Sequence, residues 1–367
     1  MTASNSLARL RVLLSLLFCF IFLVTHPPTL PAEEPATSEK PKARSTLPPL
    51  TAQVSPEEAL AAVKRRSQKI LATRRAAKRF KFSGDVSQET GYETNPSNSS
   101  SRKGDTYFQE SASLSLSKKL TSTLDWSSSY AGSYLKYLDY GDGDYTDHTL
   151  TATKLKWQPG KIWRVESWTD LEYNFYPTAL ASGYRNWKLV GRMRQNLLKS
   201  WYHQVQYEYF IRDYTSKKAR DGAGNDTLSH RVDTRHRLRY KVGTTVRKAL
   251  LSWENEFYWH DSNDARNDFY DAQVWKTTGS ASGNLTKKLY LSGSFAFERK
   301  NYTTRKVSGI NAEARYDDKY TLSSSASYDL NNTWKLAYAF SFDHLASNEP
   351  TGEYDNAKHL FTVTARF

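Results

Sequence analysis

One stretch of the sequence decides the fold: WKLAYAFSFD, residues 334–343. Its apolar residues fall on the even positions, and small, polar or charged residues fall on most of the odd positions between them. This period of two is typical of a β-strand with one apolar and one polar face. A soluble antiparallel sheet with one hydrated face gives the same alternation. The lengths and connections of the strands must therefore distinguish the two kinds of sheet.

The alternation begins at Phe80 and continues to the last residue, Phe367. The strand-like segments are about 11 to 16 residues long, which suits tilted membrane strands better than the shorter strands of soluble sheets. Short turns near residues 121–123, 158–161, 199–201, 248–249, 287–288 and 331–333 alternate with long polar loops at 96–105, 140–147, 177–184, 214–233, 261–268, 303–314 and 345–357. This pattern predicts an all-β fold, a transmembrane antiparallel up-and-down barrel of about 14 strands over residues 80–367. Because lipid leaves no backbone group unpaired, the sheet must close on itself.

Aromatic residues group near both ends of the predicted strands. Tryptophans lie close to the short turns, at Trp126, Trp157, Trp163, Trp201 and Trp334. The opposite strand ends carry Tyr140, Tyr145, Tyr176, Tyr184, Trp187, Tyr214, Trp259 and Tyr302. Both groups are expected to form girdles at the two membrane interfaces, since these side chains combine an apolar body with a polar tip.

The composition excludes a bundle of transmembrane helices. The 367 residues have 14% aromatic and 38% hydrophobic content, with a mean hydropathy of -0.70 and a formal net charge of +14. The one cysteine, Cys19, lies in an apolar run that follows Arg9 and Arg11 and precedes Leu30-Pro31-Ala32. This layout predicts a signal peptide over residues 1–32, with an uncleaved anchor as the alternative. Removal of the signal would leave no thiol for disulfides, metal sites or nucleophilic catalysis.

Two segments are predicted between the signal peptide and the barrel. Residues 33–54 are rich in Pro, Ser, Thr and Ala and read as a flexible linker. Ser55 and Pro56 then have the character of a helix N-cap and first helical residue, which predicts a basic periplasmic helix over residues 55–79. The positive charge of this helix suggests a possible periplasmic partner.

The two ends of the predicted barrel carry motifs that resemble known ones. The chain ends in HLFTVTARF, residues 359–367, with alternate residues Phe361, Val363, Ala365 and Phe367 on one face. This resembles the terminal strand that the outer-membrane assembly machinery recognises, so these four residues are the predicted assembly signal. The segment GYETNP, residues 91–96, is similar to the opening motif of exporter-type barrels, including the 14-stranded barrel domains of surface lipoprotein assembly modifiers. The resemblance implies a bacterial outer-membrane location, in contact with lipid and the assembly machinery.

If the apolar parity faces lipid, the other parity lines the lumen. The predicted basic wall comprises Lys188, Arg192, Arg194, Arg212, Arg235, Arg237, Arg239 and Lys241. The predicted acidic wall comprises Glu166, Asp170, Glu172, Glu208, Glu254 and Glu256. Two interpretations remain open: the charges neutralise each other and cross-link the wall, or the basic side attracts anions into the channel.

No sequence pattern indicates catalysis, a cofactor or nucleic-acid binding. The histidines are scattered without the His-Glu-x-x-His spacing, so we expect no enzyme activity, no metal site and no cofactor. Asp139, Asp142, Asp144 and Asp147 could bind calcium but suit an exposed turn better. The sequence predicts an outer-membrane channel for small anionic solutes or an exported substrate. The alternative is a non-conducting barrel that anchors a periplasmic or surface partner.

Overall fold

The computed structural model describes residues 80–98, 103–197, 200–265, 271–307 and 313–367. The predicted signal peptide, linker and basic helix, residues 1–79, lie outside the described residues. Across the described part of the chain, no helix combines the length and apolarity needed to cross a bilayer.

The described residues form 14 β-strands in one sheet. Their bounds are β1 Lys81–Glu93, β2 Asp105–Lys119, β3 Leu124–Tyr137, β4 Tyr145–Trp157, β5 Trp163–Phe175, β6 Tyr184–Asn196, β7 Trp201–Arg220, β8 Asp226–Val246, β9 Ala249–Ser262, β10 Ala272–Asn284, β11 Leu289–Lys306, β12 Ala314–Asp329, β13 Trp334–Ser347 and β14 Tyr354–Arg366. Single-turn 3₁₀ helices lie at Gly141–Gly143, Leu180–Ser182 and Pro350–Gly352.

Each strand pairs antiparallel with its sequence neighbour, and β1 pairs with β14. The closing register runs from Asp85 opposite Arg366 to Glu93 opposite Lys358. The prediction of a closed barrel of 14 strands is therefore confirmed. Closure leaves no sheet edge, so every strand has a hydrogen-bonding partner on both sides.

The predicted long loop at residues 214–233 is wrong. Strand β7 continues to Arg220 and β8 begins at Asp226, so a paired hairpin occupies most of this segment. Its turn is stabilised by Asn225, whose backbone N–H donates to the Asp221 carboxylate at 2.9 Å and whose side chain donates at 3.3 Å. These hydrogen bonds lower the pKa of Asp221. The polar composition looked like a loop because strands that rise out of the membrane meet water on both faces and need no apolar parity.

The two faces of the sheet follow the sequence parity. Large apolar side chains stay exposed on the outer face, for example Trp253, Phe295, Leu322 and Phe361. The tryptophans near the short turns share this outward parity. The inner face carries small, polar and charged residues.

The predicted aromatic girdle at the strand ends away from the short turns is wrong in part. Tyr184 and Tyr214 pair across β6 and β7 on the inner parity, with ring centroids 6.1 Å apart. Tyr302 is 9% exposed and donates to Asp317 at 2.9 Å. Tyr145 also has inward parity, opposite Leu135. Aromatic residues near a strand end thus either face lipid or face the lumen. The parity of the position distinguishes these two roles better than its depth in the membrane does.

The motif at residues 91–96 has a structural role at the seam between β1 and β14. A Cβ atom on Gly91 would lie 2.2 Å from Cζ of Tyr107, so glycine makes room for that ring across the strand pair. Glu93 accepts hydrogen bonds from the Tyr137 hydroxyl at 2.7 Å and from Nδ2 of Asn356 at 2.6 Å. Buried polar groups of the motif therefore connect β1 to β3 and β14.

We expect Gly91→Ala to destabilise the barrel by about 1 to 3 kcal/mol, because the new methyl group overlaps the Tyr107 ring. The measurement is the temperature at which the folded barrel loses its compact mobility on a detergent gel. Gly191→Ala is the matched control, since a Cβ atom there meets nothing within 4 Å. Equal melting temperatures for both variants would contradict the seam role.

The predicted periplasmic helix precedes Phe80, so the end of the barrel with Phe80 and Phe367 is expected to face the periplasm. A peptide epitope inserted after Ala223 should therefore bind antibody on intact cells, because this turn lies at the opposite end. The same epitope after Gly160, in a turn at the other end, should become accessible only after the outer membrane is permeabilised. Labelling of the Gly160 insertion alone would reverse the predicted topology.

Candidate functional site

The inner wall holds an ion-pair network centred on Glu166 of β5. This carboxylate is 1% exposed and accepts a hydrogen bond from Arg164 at 2.8 Å and one from Arg192 at 3.1 Å. The ammonium group of Lys154 lies 3.9 Å away. One acidic residue thus holds cations from three strands, β4, β5 and β6.

A second network joins β7, β8 and β9. Arg237 lies 3.3 Å from Glu208 and 3.4 Å from Glu256. Arg239 donates to Glu256 at 2.5 Å and lies 4.0 Å from Glu208. Because each carboxylate is shared by two guanidinium groups, the network cross-links neighbouring strands across the inner face.

The remaining predicted acidic residues have simpler partners. Lys188 donates to Glu172, and Lys241 lies 3.8 Å from Glu254. Asp170 instead accepts hydrogen bonds from Thr151 at 2.7 Å and from the Trp168 indole at 3.0 Å. The structure therefore brings most of the two predicted walls together as ion pairs, while Asp170 is held by neutral donors.

Three residues of the predicted basic wall have no carboxylate oxygen within 4.0 Å among the residues that the structure describes: Arg194, Arg212 and Arg235. The Arg194 guanidinium lies 3.7 Å from the ring centroid of Tyr202. Arg212 lies 3.9 Å from the Tyr184 ring, and Arg235 lies 4.8 Å from the Tyr258 ring. Aromatic faces attract these cations electrostatically in place of carboxylates.

Sequence reasoning missed the aromatic part of this wall. Phe210 is 3% exposed on the inner face of β7, opposite Arg235. Its parity could have revealed it, since it is a large apolar residue at an inward position between Glu208 and Arg212. Lys154 and Arg164 were also missed, although they share the inward parity of Glu166.

The opposite side of the lumen is lined by small hydroxyl side chains. A cavity of about 450 Å³ lies along β10 to β14. Ser292 and Ser325 contact each other there through their hydroxyl groups at 2.7 Å. The other polar lining residues include Ser280, Ser282, Ser294, Ser323, Ser341 and Lys358. These short side chains leave space inside the barrel next to a wall with few charges.

Within the described ranges, no group of three or more His, Cys, Asp or Glu side chains is arranged to hold a metal ion. Asp144, one of the four loop aspartates, accepts a hydrogen bond from the backbone N–H of Tyr137 at 2.7 Å. Its carboxylate thus stabilises the connection between β3 and β4.

The predicted assembly signal lies on β14 and at the residue after it. Phe361 and Phe367 are 60% and 65% exposed, and Val363 has the same outward parity as Ala365. Phe367 also exchanges backbone hydrogen bonds with Gly84 of β1, each 3.0 Å long. Recognition of this strand by the assembly machinery stays a prediction.

The closed antiparallel sheet, its apolar outer face and its charged inner face define a transmembrane β-barrel. Barrels of the bacterial outer membrane share these features.

Several solved barrels are similar to this chain in fold. OmpT, an outer membrane protein of Vibrio cholerae, has 8% sequence identity and a TM-score of 0.49, with 78% of this chain and 97% of that chain covered. An anion-selective porin from Comamonas acidovorans has 8% identity and a TM-score of 0.43, with 79% and 99% covered. The translocator domain of autotransporter NalP from Neisseria meningitidis has 10% identity and a TM-score of 0.32, with 86% and 100% covered. No family model matches the sequence, and no curated protein matches it.

We expect Glu256→Gln to lower the free energy of unfolding by about 1 to 3 kcal/mol, because it removes the negative charge that forms an ion pair with Arg237 and a hydrogen-bonded ion pair with Arg239. Urea unfolding followed by tryptophan fluorescence measures the change. Glu254→Gln is the control, and should cost less than about 1 kcal/mol because this partly exposed carboxylate lies 3.8 Å from Lys241 and has no second ion-pair partner among the described residues. Equal losses would contradict a cross-linking role for Glu256.

Proposed function

We propose that the barrel is a channel that passes small solutes across the outer membrane, with a preference for anions. The observation that carries the proposal is the cavity of about 450 Å³ inside the barrel, lined by hydroxyl groups. A barrel of about eight strands is already just wide enough for side chains to fill, so 14 strands leave additional space. Small polar side chains keep such a space hydrated.

The preference for anions rests on the charges that the ion-pair networks leave over. Arg212 and Arg235 face the lumen without a carboxylate partner within 4.0 Å in the described part of the chain. A low-dielectric wall around the lumen concentrates their field on the passing solute. The paired charges of the same wall contribute less, because each cation is offset by a neighbouring carboxylate.

An exported substrate is the finer alternative, and it rests on the resemblance of residues 91–96 to exporter-type barrels. The buried contacts of Gly91 and Glu93 explain this motif as a seam element without reference to export. In this proposal the barrel is not an enzyme. The assembly machinery, and a periplasmic partner that contacts residues 55–79, are its proposed protein partners.

In planar lipid bilayers, the mature protein should form channels that carry current. Under a potassium chloride gradient, the reversal potential should show that chloride permeates more readily than potassium. Absence of current in any lipid would contradict the channel and favour the anchoring role.

The path of the current can be tested with two adjacent serines on opposite faces of β12. Ser323→Trp should reduce the single-channel conductance, because Ser323 has inward parity and lines the cavity. Ser324→Trp is the matched control and should leave the conductance unchanged: Ser324 borders the same cavity, but its outward parity directs the new side chain toward lipid. A reduction by both variants, or by neither, would place the conducting path elsewhere.

A further inference from the structure

Toward the strand ends away from the short turns, the inner wall contains a cluster in which guanidinium groups lie next to aromatic rings. Arg212 lies 3.9 Å from the ring centroid of Tyr184 and 5.3 Å from that of Phe210. Arg235 lies 5.1 Å from the same Phe210 ring and 4.8 Å from that of Tyr258. One buried phenyl ring is therefore shared by two guanidinium groups, and each of these groups also lies near a tyrosine ring.

The donors of this cluster are incompletely used by the protein. Nε of Arg212 donates to Oδ1 of Asn186 at 3.1 Å. Nε of Arg235 is buried and has no acceptor in the described structure. The carboxylate opposite Arg212, that of Asp233, is already bound by Arg231 through two hydrogen bonds of 2.8 Å.

The neighbouring charges add to the positive potential at this point. Arg237 and Arg212 both lie close enough to repel Arg235 electrostatically, and so does Lys300. Glu208 attracts Arg235, but Glu208 is shared with Arg237 at 3.3 Å. Arg212 and Arg235 have no carboxylate oxygen within 4.0 Å among the described residues, so an anion in the lumen is attracted to them.

The geometry points to an oxyanion-binding station at Arg212 and Arg235, where a phosphate or carboxylate group of a passing solute is held. The inference rests on the proposed channel and adds a saturable site to it. A guanidinium group offers a rigid fork of N–H donors that matches two oxygens of one anion. The rings hold the two forks in place, so less side-chain freedom is lost when the anion binds.

The station can be tested by adding inorganic phosphate or acetate to the chloride current of single channels. At least one of these oxyanions should lower the chloride current with saturation, and the stronger of the two identifies the preferred group. Arg235→Gln should raise the half-inhibiting concentration about tenfold or more, because hydrogen bonds to a charged group are lost. The station would be overturned if neither oxyanion inhibits the wild-type current with saturation. It would also be overturned if Arg235→Gln is inhibited at the same concentrations as the wild type.

Two further variants separate the fork from charge alone. Arg235→Lys should weaken oxyanion inhibition although it preserves the positive charge, because an ammonium group has no fork. Arg366→Gln is the control: it removes an arginine of the inner face at the other end of the barrel, where Arg366 lies 3.2 Å from Asp329. Equal inhibition of Arg235→Lys and wild type would reduce the station to simple electrostatic attraction.

Failure of the station can be distinguished from failure of the channel by a binding measurement. Phosphorus NMR of inorganic phosphate with the full mature protein, in a phosphorus-free detergent, should show line broadening that Arg235→Gln removes. Broadening without any bilayer current would retain the station and reject the channel. Current without saturation or broadening by either probe would retain the channel and reject the station.

Discussion

The structure depends on one constraint: in a bilayer, each backbone N–H and C=O group must find its partner within the protein. A sheet meets this demand when its first and last strands pair, as β1 and β14 do from Asp85 to Glu93. Because successive side chains of a strand point to opposite faces, they lie alternately toward lipid and toward the lumen of the closed sheet. The composition of each strand follows from that alternation, since the two faces meet different solvents. Gly91 also serves this closure, because the absence of a side chain on β1 makes room for the Tyr107 ring of β2 next to the pairing of β1 with β14.

The inner face meets a different requirement, because charges there are only partly solvated. Breaking a buried ion pair leaves one charge without a partner. Charged residues on such a wall are therefore stable when each carboxylate is shared by several cations. Glu166 illustrates this with cations on three strands, and Glu256 with two arginines of β8. The networks also act at the level of register, since a slip of one residue would turn Arg237 and Arg239 toward lipid and separate them from their partners. Their ion pairs therefore stabilise the alignment of strands as well as the wall.

Much of the barrel could be predicted from the sequence because parity is a local signal. The alternation in residues 334–343 assigns each side chain to one face without knowledge of any neighbour, and it placed the predicted charged residues on the inner parity. The hairpin beyond Tyr214 could not be predicted in this way, since both of its faces meet water and parity disappears. The sharing of Glu208 between Arg237 and Arg239 depends on cross-strand register, which a single sequence does not specify. Phe210 was detectable in principle, as an apolar residue at an inward position, but its relation to two arginines required the pairing of β7 with β8.

The contrast between shared carboxylates and shared rings divides the inner wall by physical character. A carboxylate neutralises a guanidinium group and also occupies its donors, which leaves little for a solute. An aromatic ring attracts the same group from its face but accepts little from the N–H donors at its edge. Positive charge consequently persists beside Phe210, whereas it is largely neutralised beside Glu256. Nearby positions of β8 thus differ in role because of the residues across from them: Arg237 and Arg239 hold the wall together, and Arg235 keeps a positive charge that no carboxylate within 4.0 Å offsets in the described part of the chain.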